Sequence, residues 1–233
     1  MPATIETPEA LDALLARPTQ ALIDDLRAVE GDLLILGVGG KMGPSLARLA
    51  RAAAPEKRVI AVARFSTPSL RAALERDGIE TIACDLLDRA ALAALPSVAN
   101  VVFMAGHKFG SSGDPALTWA MNVHMPALVA ERFAGSRIVA FSTGCVYPFV
   151  PVASGGCAED VAPEPPGEYA VTCLGRERMF QWFSQRHGAA GRLFRLNYAI
   201  DLRYGVLHDI ARTVRDGLPL DVTMGHVNVI WQG

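Results

Sequence analysis

The stretch Asp32-Leu33-Leu34-Ile35-Leu36-Gly37-Val38-Gly39-Gly40-Lys41-Met42-Gly43 decides the fold of this chain. An apolar strand runs straight into a glycine turn, and the turn opens a helix. That arrangement holds a dinucleotide pyrophosphate on backbone N–H groups and on the positive end of the helix dipole. Gly37, Gly40 and Gly43 stand at Gly-x-x-Gly-x-x-Gly spacing, where missing side chains permit a tight turn, close approach of phosphate, and close packing of helix on strand. Gly37, Gly39, Gly40, Lys41, Met42 and Gly43 are therefore the expected cofactor cradle. A strand-to-helix turn that binds nothing is the competing interpretation.

Composition narrows the partner. With 233 residues, 51% hydrophobic and 20% charged, the chain is long enough for one well-buried α/β domain. A formal net charge of −2 leaves no electrostatic footprint for nucleic acid or an anionic membrane, so the expected partner is a small molecule, with a homodimer as the expected assembly. No apolar run reaches the roughly 18 residues of a membrane span, and the acidic N-terminus does not resemble a signal peptide. A cytoplasmic location is the default expectation. Cys84, Cys145, Cys157 and Cys173 form no Cys-x-x-Cys pair, and the five histidines, His107 and His124 among them, lack ligand spacing. Neither a disulfide framework nor a metal site is expected.

Along the chain, Pro8 to Val29 shows helical periodicity broken at Pro18-Thr19, which predicts a helical N-terminal extension over residues 1–31. From 32 to 233, strand-like and helix-like segments alternate. Strands are expected at 58–63, 80–84, 100–105, 137–142 and 192–197; helices at 68–77, 90–95, 115–133 and 169–186. Such alternation predicts βαβ units in a doubly wound, mostly parallel sheet. Residues 157–167, with Pro163, Pro165 and Pro166, read as a loop. A helix at 206–216 and a strand-like run at 227–231 close the pattern.

After the strand at 137–142 comes Phe141-Ser142-Thr143-Gly144-Cys145-Val146-Tyr147-Pro148, and beyond the proline loop Glu168-Tyr169-Ala170-Val171-Thr172-Cys173-Leu174-Gly175-Arg176-Glu177. With the glycine turn, these motifs resemble the signatures of the extended short-chain dehydrogenase/reductases, the NAD(P)-dependent epimerase/dehydratase family. The resemblance runs from Asp32 onward. It implies a Rossmann fold and hydride exchange with a nicotinamide, with Tyr169 as acid/base and Thr143 polarising the substrate oxygen. It further implies Ala105 and Gly106 beside the cofactor, Asn122 in the following helix, Asp85 near the adenine, and Asn197 facing the substrate. Each of the Asn and Asp positions also fits a cap or turn residue.

The chain departs from the family where the lysine of Tyr-x-x-x-Lys should stand, because Cys173 occupies it. A free phenol titrates near 10 and needs a nearby cation to act as a base at neutral pH; a thiol supplies none. Three readings stay open: a binder that has lost hydride chemistry, an enzyme in which another cation compensates, or a weakly active variant. Arg176, seven residues on and so on the same helix face, and Lys108, just after a strand, are the candidate substitutes, each equally readable as a solvated surface residue. Ala63-Arg64 ends the second strand where an NAD-selective fold places an acid, so NADP is modestly favoured over NAD; an arginine stacked on adenine is the alternative. Gly144-Cys145 replace the Asp-Glu of sugar-nucleotide 4,6-dehydratases. The expectation is an oxidoreductase or epimerase acting on a sugar, sugar acid or nucleotide sugar, with a reduced or truncated C-terminal substrate lobe. A non-catalytic NAD(P)-binding regulatory or assembly protein is the alternative.

Overall fold

The computed structural model describes residues 4–108, 110 and 113–233. Two short helices come first, α1 (Pro8–Leu15) and α2 (Gln20–Ala28), each started by a threonine whose hydroxyl accepts from a first-turn N–H, Thr7 from Ala10 and Thr19 from Leu22. Then follow β1 (Leu33–Leu36), α3 (Gly43–Ala53), β2 (Val59–Ala63), α4 (Pro68–Arg76), β3 (Glu80–Ala83), α5 (Arg89–Ala93) and β4 (Asn100–Phe103). Next are α6 (Pro115–Trp119), a π-helical turn (Ala120–His124), α7 (Met125–Arg132), β5 (Arg137–Thr143), α8 (Gly167–His187) and β6 (Gly191–Leu196). The expected helix over 115–133 thus carries one widened turn, and Asn122 stands inside it. The chain closes with β7 (Tyr198–Ile200), α9 (Val206–Arg215) and β8 (Val229–Trp231).

Six strands pair in the order β3-β2-β1-β4-β5-β6, every pairing parallel. This is the doubly wound arrangement, and its order reverses between β1 and β4, where a crevice opens at the carboxyl ends of the strands. Alternation sorts the strand side chains onto two faces. Leu34, Leu36, Ile60, Val62, Val101 and Phe103 join Leu128, Phe133 and Phe180 on one; Leu33, Ile35, Val59 and Ala61 meet Ala47, Ala50 and Leu74 on the other. The second face is thinly covered at β5 and β6, where Val139 and Phe194 remain exposed.

The terminal run at 227–231 does not extend the main sheet: β8 pairs parallel with β7 in a separate two-stranded sheet. That small sheet reaches the glycine turn. Gln232 Nε2 donates to Ser45 Oγ (2.5 Å), the Tyr204 hydroxyl meets Gln232 Oε1, and the Lys41 ammonium lies 4.6 Å from the Tyr204 ring centre. Burial pushes the Tyr204 phenol up to about 12, with the Asp201 charge adding to it. Arg203 ties the same segment to the N-terminus: it grips Asp201 (2.7 Å) and donates to Asp12 on α1 (2.7 Å), while Leu11 and Leu15 bury the apolar side of that helix.

Gly37 has φ +90, and a Cβ there would stand 2.6 Å from the Ala105 backbone nitrogen. A Cβ at Gly40 would meet nothing closer than a carbonyl oxygen at 3.7 Å. Gly37→Ala is therefore expected to cost about 2 kcal/mol or more, from left-handed backbone strain and overpacking, whereas Gly40→Ala stays within about 0.5 kcal/mol of the parent. Thermal unfolding of the two variants checks this; equal melting temperatures would refute it.

Candidate active site

The expected site residues stand at the carboxyl ends of β1, β4, β5 and β6, on α8 and in the widened turn at Asn122, with Arg64 and Asp85 farther out after β2 and β3. The glycine turn leaves β1 with Gly39, Gly40 and Lys41 exposed, and Met42, before the first turn of α3, offers no side chain to cap its N–H groups. Ala105 packs against Gly37 at the end of β4. These features fit a pyrophosphate: exposed backbone at Gly39 and Gly40, a helix start with no side-chain cap, and no contact tighter than 3.7 Å for a Cβ at Gly40. Arg64 is exposed directly after β2, and Asp85 is exposed after β3, with Oδ1 accepting from Leu87 N (3.0 Å).

Thr143 ends β5 in register with Leu196 of β6, so Asn197 emerges beside it. The Asn197 side-chain oxygen presses on Gly144 where a Cβ would otherwise stand. Thr143 Oγ1 accepts from Cys145 N (3.2 Å), which turns the chain into a short 3-10 turn, Gly144–Val146, and leaves the hydroxyl proton free to be donated. Tyr169 lies in the first turn of α8, half-buried. Burial drives its phenol well above the ordinary tyrosine range; the Cys173 thiol adds to the rise, and the Arg176 guanidinium opposes it. Cys173 is fully buried, and its thiol is likewise raised, by burial first, with Arg176 pulling it back.

Arg176 is not a surface residue. It is 7% exposed; Nη1 donates to Phe141 O (3.0 Å) and Nη2 to Asn122 Oδ1 (2.8 Å). It passes over Gly106, where a Cβ would collide with Nη2. Asn122 is engaged at both ends: Oδ1 also accepts from His107 N (2.8 Å), and Nδ2 donates to His107 O (2.9 Å) and Thr172 Oγ1 (3.0 Å). It locks the loop after β4 to α8 and has no donor or lone pair left over. Lys108, the other candidate cation, is exposed, with its ammonium 4.5 Å from the Tyr198 ring centre.

A buried network escaped the sequence. Glu177 is wholly buried on α8; it accepts from Ser142 Oγ (2.5 Å) and from Arg195 Nε (3.0 Å) and Nη2 (2.8 Å), and Arg195 also donates to the Tyr147 hydroxyl (2.7 Å). Nothing set Glu177 apart from Arg176 and Arg178 beside it on α8, or Arg195 from Arg192 on β6, so the sequence carried no signal for the pair. Elsewhere, an apolar cleft of about 290 Å³ opens under the β6 edge among Ala130, Ile138, Phe180, Phe183 and Leu193, and contains none of these residues. Among the described residues, no cluster of His, Cys, Asp and Glu is placed to hold a metal, and no helix is long and apolar enough to cross a membrane.

Residues 33–200 match the family model of the NAD dependent epimerase/dehydratase family, and the chain belongs to that family. Among solved structures it is similar to UDP-glucuronic acid 4-epimerase from Bacillus cereus, in complex with UDP-glucuronic acid and NAD, at 19% identity and TM-score 0.72, covering 86% of this chain and 69% of that one. It is also similar to the dTDP-glucose 4,6-dehydratase DesIV from Streptomyces venezuelae, with NAD bound, at 20% identity and TM-score 0.75, covering 86% and 68%. A third similar structure, MoeE5 with UDP-glucose and NAD, shares 23% identity at TM-score 0.62, covering 79% of this chain and 60% of that one. At these identities the likeness is one of fold. No curated protein sequence matches.

Burial and raised thiol values set an order of reactivity, because the thiolate is the reacting form. In the native protein a disulfide-exchange reagent is expected to modify exposed Cys145 first and half-buried Cys157 more slowly, reaching Cys84 and Cys173 only after unfolding. Peptide mapping of the labelled protein reads this out, and prompt native labelling of Cys173 contradicts it.

Proposed function

We propose that the chain is an NAD(P)-dependent oxidoreductase or epimerase acting on a ring hydroxyl of a nucleotide sugar, sugar or sugar acid. The observation that carries the reading is the meeting of Thr143, Asn197 and the Tyr169 helix at the carboxyl ends of β5 and β6, beside the open glycine turn of β1. Family membership and the nucleotide-sugar complexes of the similar structures support it.

When bound, the nicotinamide supplies the hydride acceptor. The chain's own residues do the rest. Gly37 to Gly43 hold the pyrophosphate, Thr143 donates its hydroxyl proton to the substrate oxygen, and Tyr169 takes the substrate's hydroxyl proton and later returns it. Asn197 faces the sugar. Gly144 and Cys145 bring no carboxylate to this mouth, which favours oxidation and reduction at carbon over elimination of water. The setting that goes with this reading is a cytoplasmic homodimer.

A second reading, a cofactor-binding protein without turnover, is favoured by one observation: a buried neutral thiol stands where the family has lysine. Turnover separates the two. Incubation with NADP or NAD and a panel of UDP- and dTDP-hexoses and sugar acids is expected to give nicotinamide reduction or an epimerised product, and Tyr169→Phe is expected to abolish it. Cofactor binding with no conversion of any panel member would favour the second reading.

Arg64, with no acid beside it at the β2 end, is proposed to pair with the 2′-phosphate of NADP. A charge-assisted contact of roughly 1.5–3 kcal/mol corresponds to a preference of about tenfold or more. Calorimetric titration is expected to show tighter binding of NADP than NAD, reversed by Arg64→Asp, and no binding of either to Gly40→Val. Equal affinities in the parent protein would sink the NADP assignment; full binding by Gly40→Val would move the site elsewhere.

A further inference from the structure

A buried guanidinium normally has a carboxylate beside it, because removing an unpaired charge from water is costly. Arg176 has none among the described residues. Its two terminal nitrogens meet a backbone carbonyl and an amide oxygen, its Cζ lies 5.8 Å from the Phe103 ring centre, and Nε has no hydrogen-bond partner. Glu177, the adjacent acid, is already neutralised by Arg195. The floor of the site therefore carries one net positive charge.

That charge has a direction. Tyr169, Cys173 and Arg176 are spaced four and three residues apart on α8, along one face, and helix side chains lean toward the N-terminus, so Arg176 reaches back toward the phenol. Asn122 and Phe141 O fix the guanidinium in place, and the lack of a side chain at Gly106 makes room for it.

We propose that Arg176 is the resident cation of this site, a positioning residue that acts through Tyr169 and holds the positive charge one turn further along α8 than the lysine position filled by Cys173. The proposal deepens the reading above and rests on Tyr169 being the proton-transfer group. The titratable and charged groups acting on the phenol are Cys173 and Arg176 from α8 and Cys145 from the turn after β5; Glu177, which acts on Cys173, is met by Arg195 of β6. Arg176 is the one cation among them whose charge is not met by an acid. The guanidinium favours the ionised phenol, in agreement with the direction of its effect on Tyr169.

The test is the titration of Tyr169 itself in protein whose tyrosines carry ring fluorines, which lower the phenol into the pH range where the fold survives; it is read as phenolate absorbance of each protein minus its Tyr169→Phe counterpart and needs no substrate. Arg176→Gln keeps a hydrogen-bonding group and removes the charge; its Tyr169 midpoint is expected about one pH unit or more above the parent's. Arg176→Lys is expected to hold the midpoint near the parent's. Asn122→Asp leaves the arginine in place but pairs it with an acid, so it is expected to raise the midpoint as Arg176→Gln does, and it serves where the glutamine variant fails to fold. Where turnover is measured, the basic limb of the pH–rate profile should move upward with the midpoint. An unmoved midpoint in both Arg176→Gln and Asn122→Asp overturns the proposal. Absence of cofactor binding and turnover in the parent is a different result: it strikes the oxidoreductase reading, while the titration still decides the role of Arg176.

Discussion

The seating of α8 on the sheet depends on one buried carboxylate. Glu177 accepts three hydrogen bonds, one from Ser142 on β5 and two from Arg195 on β6, so a single side chain pins the helix to two neighbouring strands. Desolvating such a pair is costly, and it stabilises only when the geometry is good and the remaining lone pairs are filled. Here both carboxylate oxygens are engaged, and the Tyr147 hydroxyl takes a further donor of the arginine. Tyr169, Cys173 and Arg176 inherit their positions from this anchor, since they stand on the same rigid helix within eight residues of it. An uncharged residue at 177 would leave Arg195 without its acid, and the loss would be felt first at the site.

Much of the cofactor half was legible in the sequence for a physical reason. Parallel strands buried on both faces must be apolar throughout, so Leu33–Leu36 and Val59–Ala63 announce themselves, and between β1 and α3 the positions Gly37 and Gly43 leave no room for a side chain. The two N-terminal helices and their break at Pro18 followed from caps and periodicity. What could not be read was set by distant partners. The π-helical turn around Asn122 leaves no compositional trace. The burial of Arg176 depends on Gly106 and Asn122, which lie 70 and 54 positions away along the chain. The Glu177–Arg195 pair joins a helix to a strand, and neither residue betrays its partner. The small sheet of β7 and β8 is largely exposed, so periodicity had no buried face to reveal.

The two halves of the sheet differ in finish. Around β1, β2 and β4 both faces are covered, and the glycine turn rests on a rigid body. At β5 and β6 one face presents Val139 and Phe194 to solvent, and α9 buries none of its residues. The glycine turn is thus held on the covered part. Thr143 and Asn197 emerge from the barer edge, where loop changes cost least.

The bond between Asp12 and Arg203 also has a meaning in time. It spans 191 positions, so α1 gains this partner only after nearly all of the main sheet has been made; until then Asp12 has Arg48 of α3, 3.6 Å away. At about 5–20 residues per second, α1 emerges from the ribosome roughly ten seconds or more before its partner. During that interval α1 can pack on α3, while the cover that the chain near Trp231 and Gly233 adds over Leu15 is still to come. α1 therefore settles in two stages, on α3 first and on the C-terminal segment last.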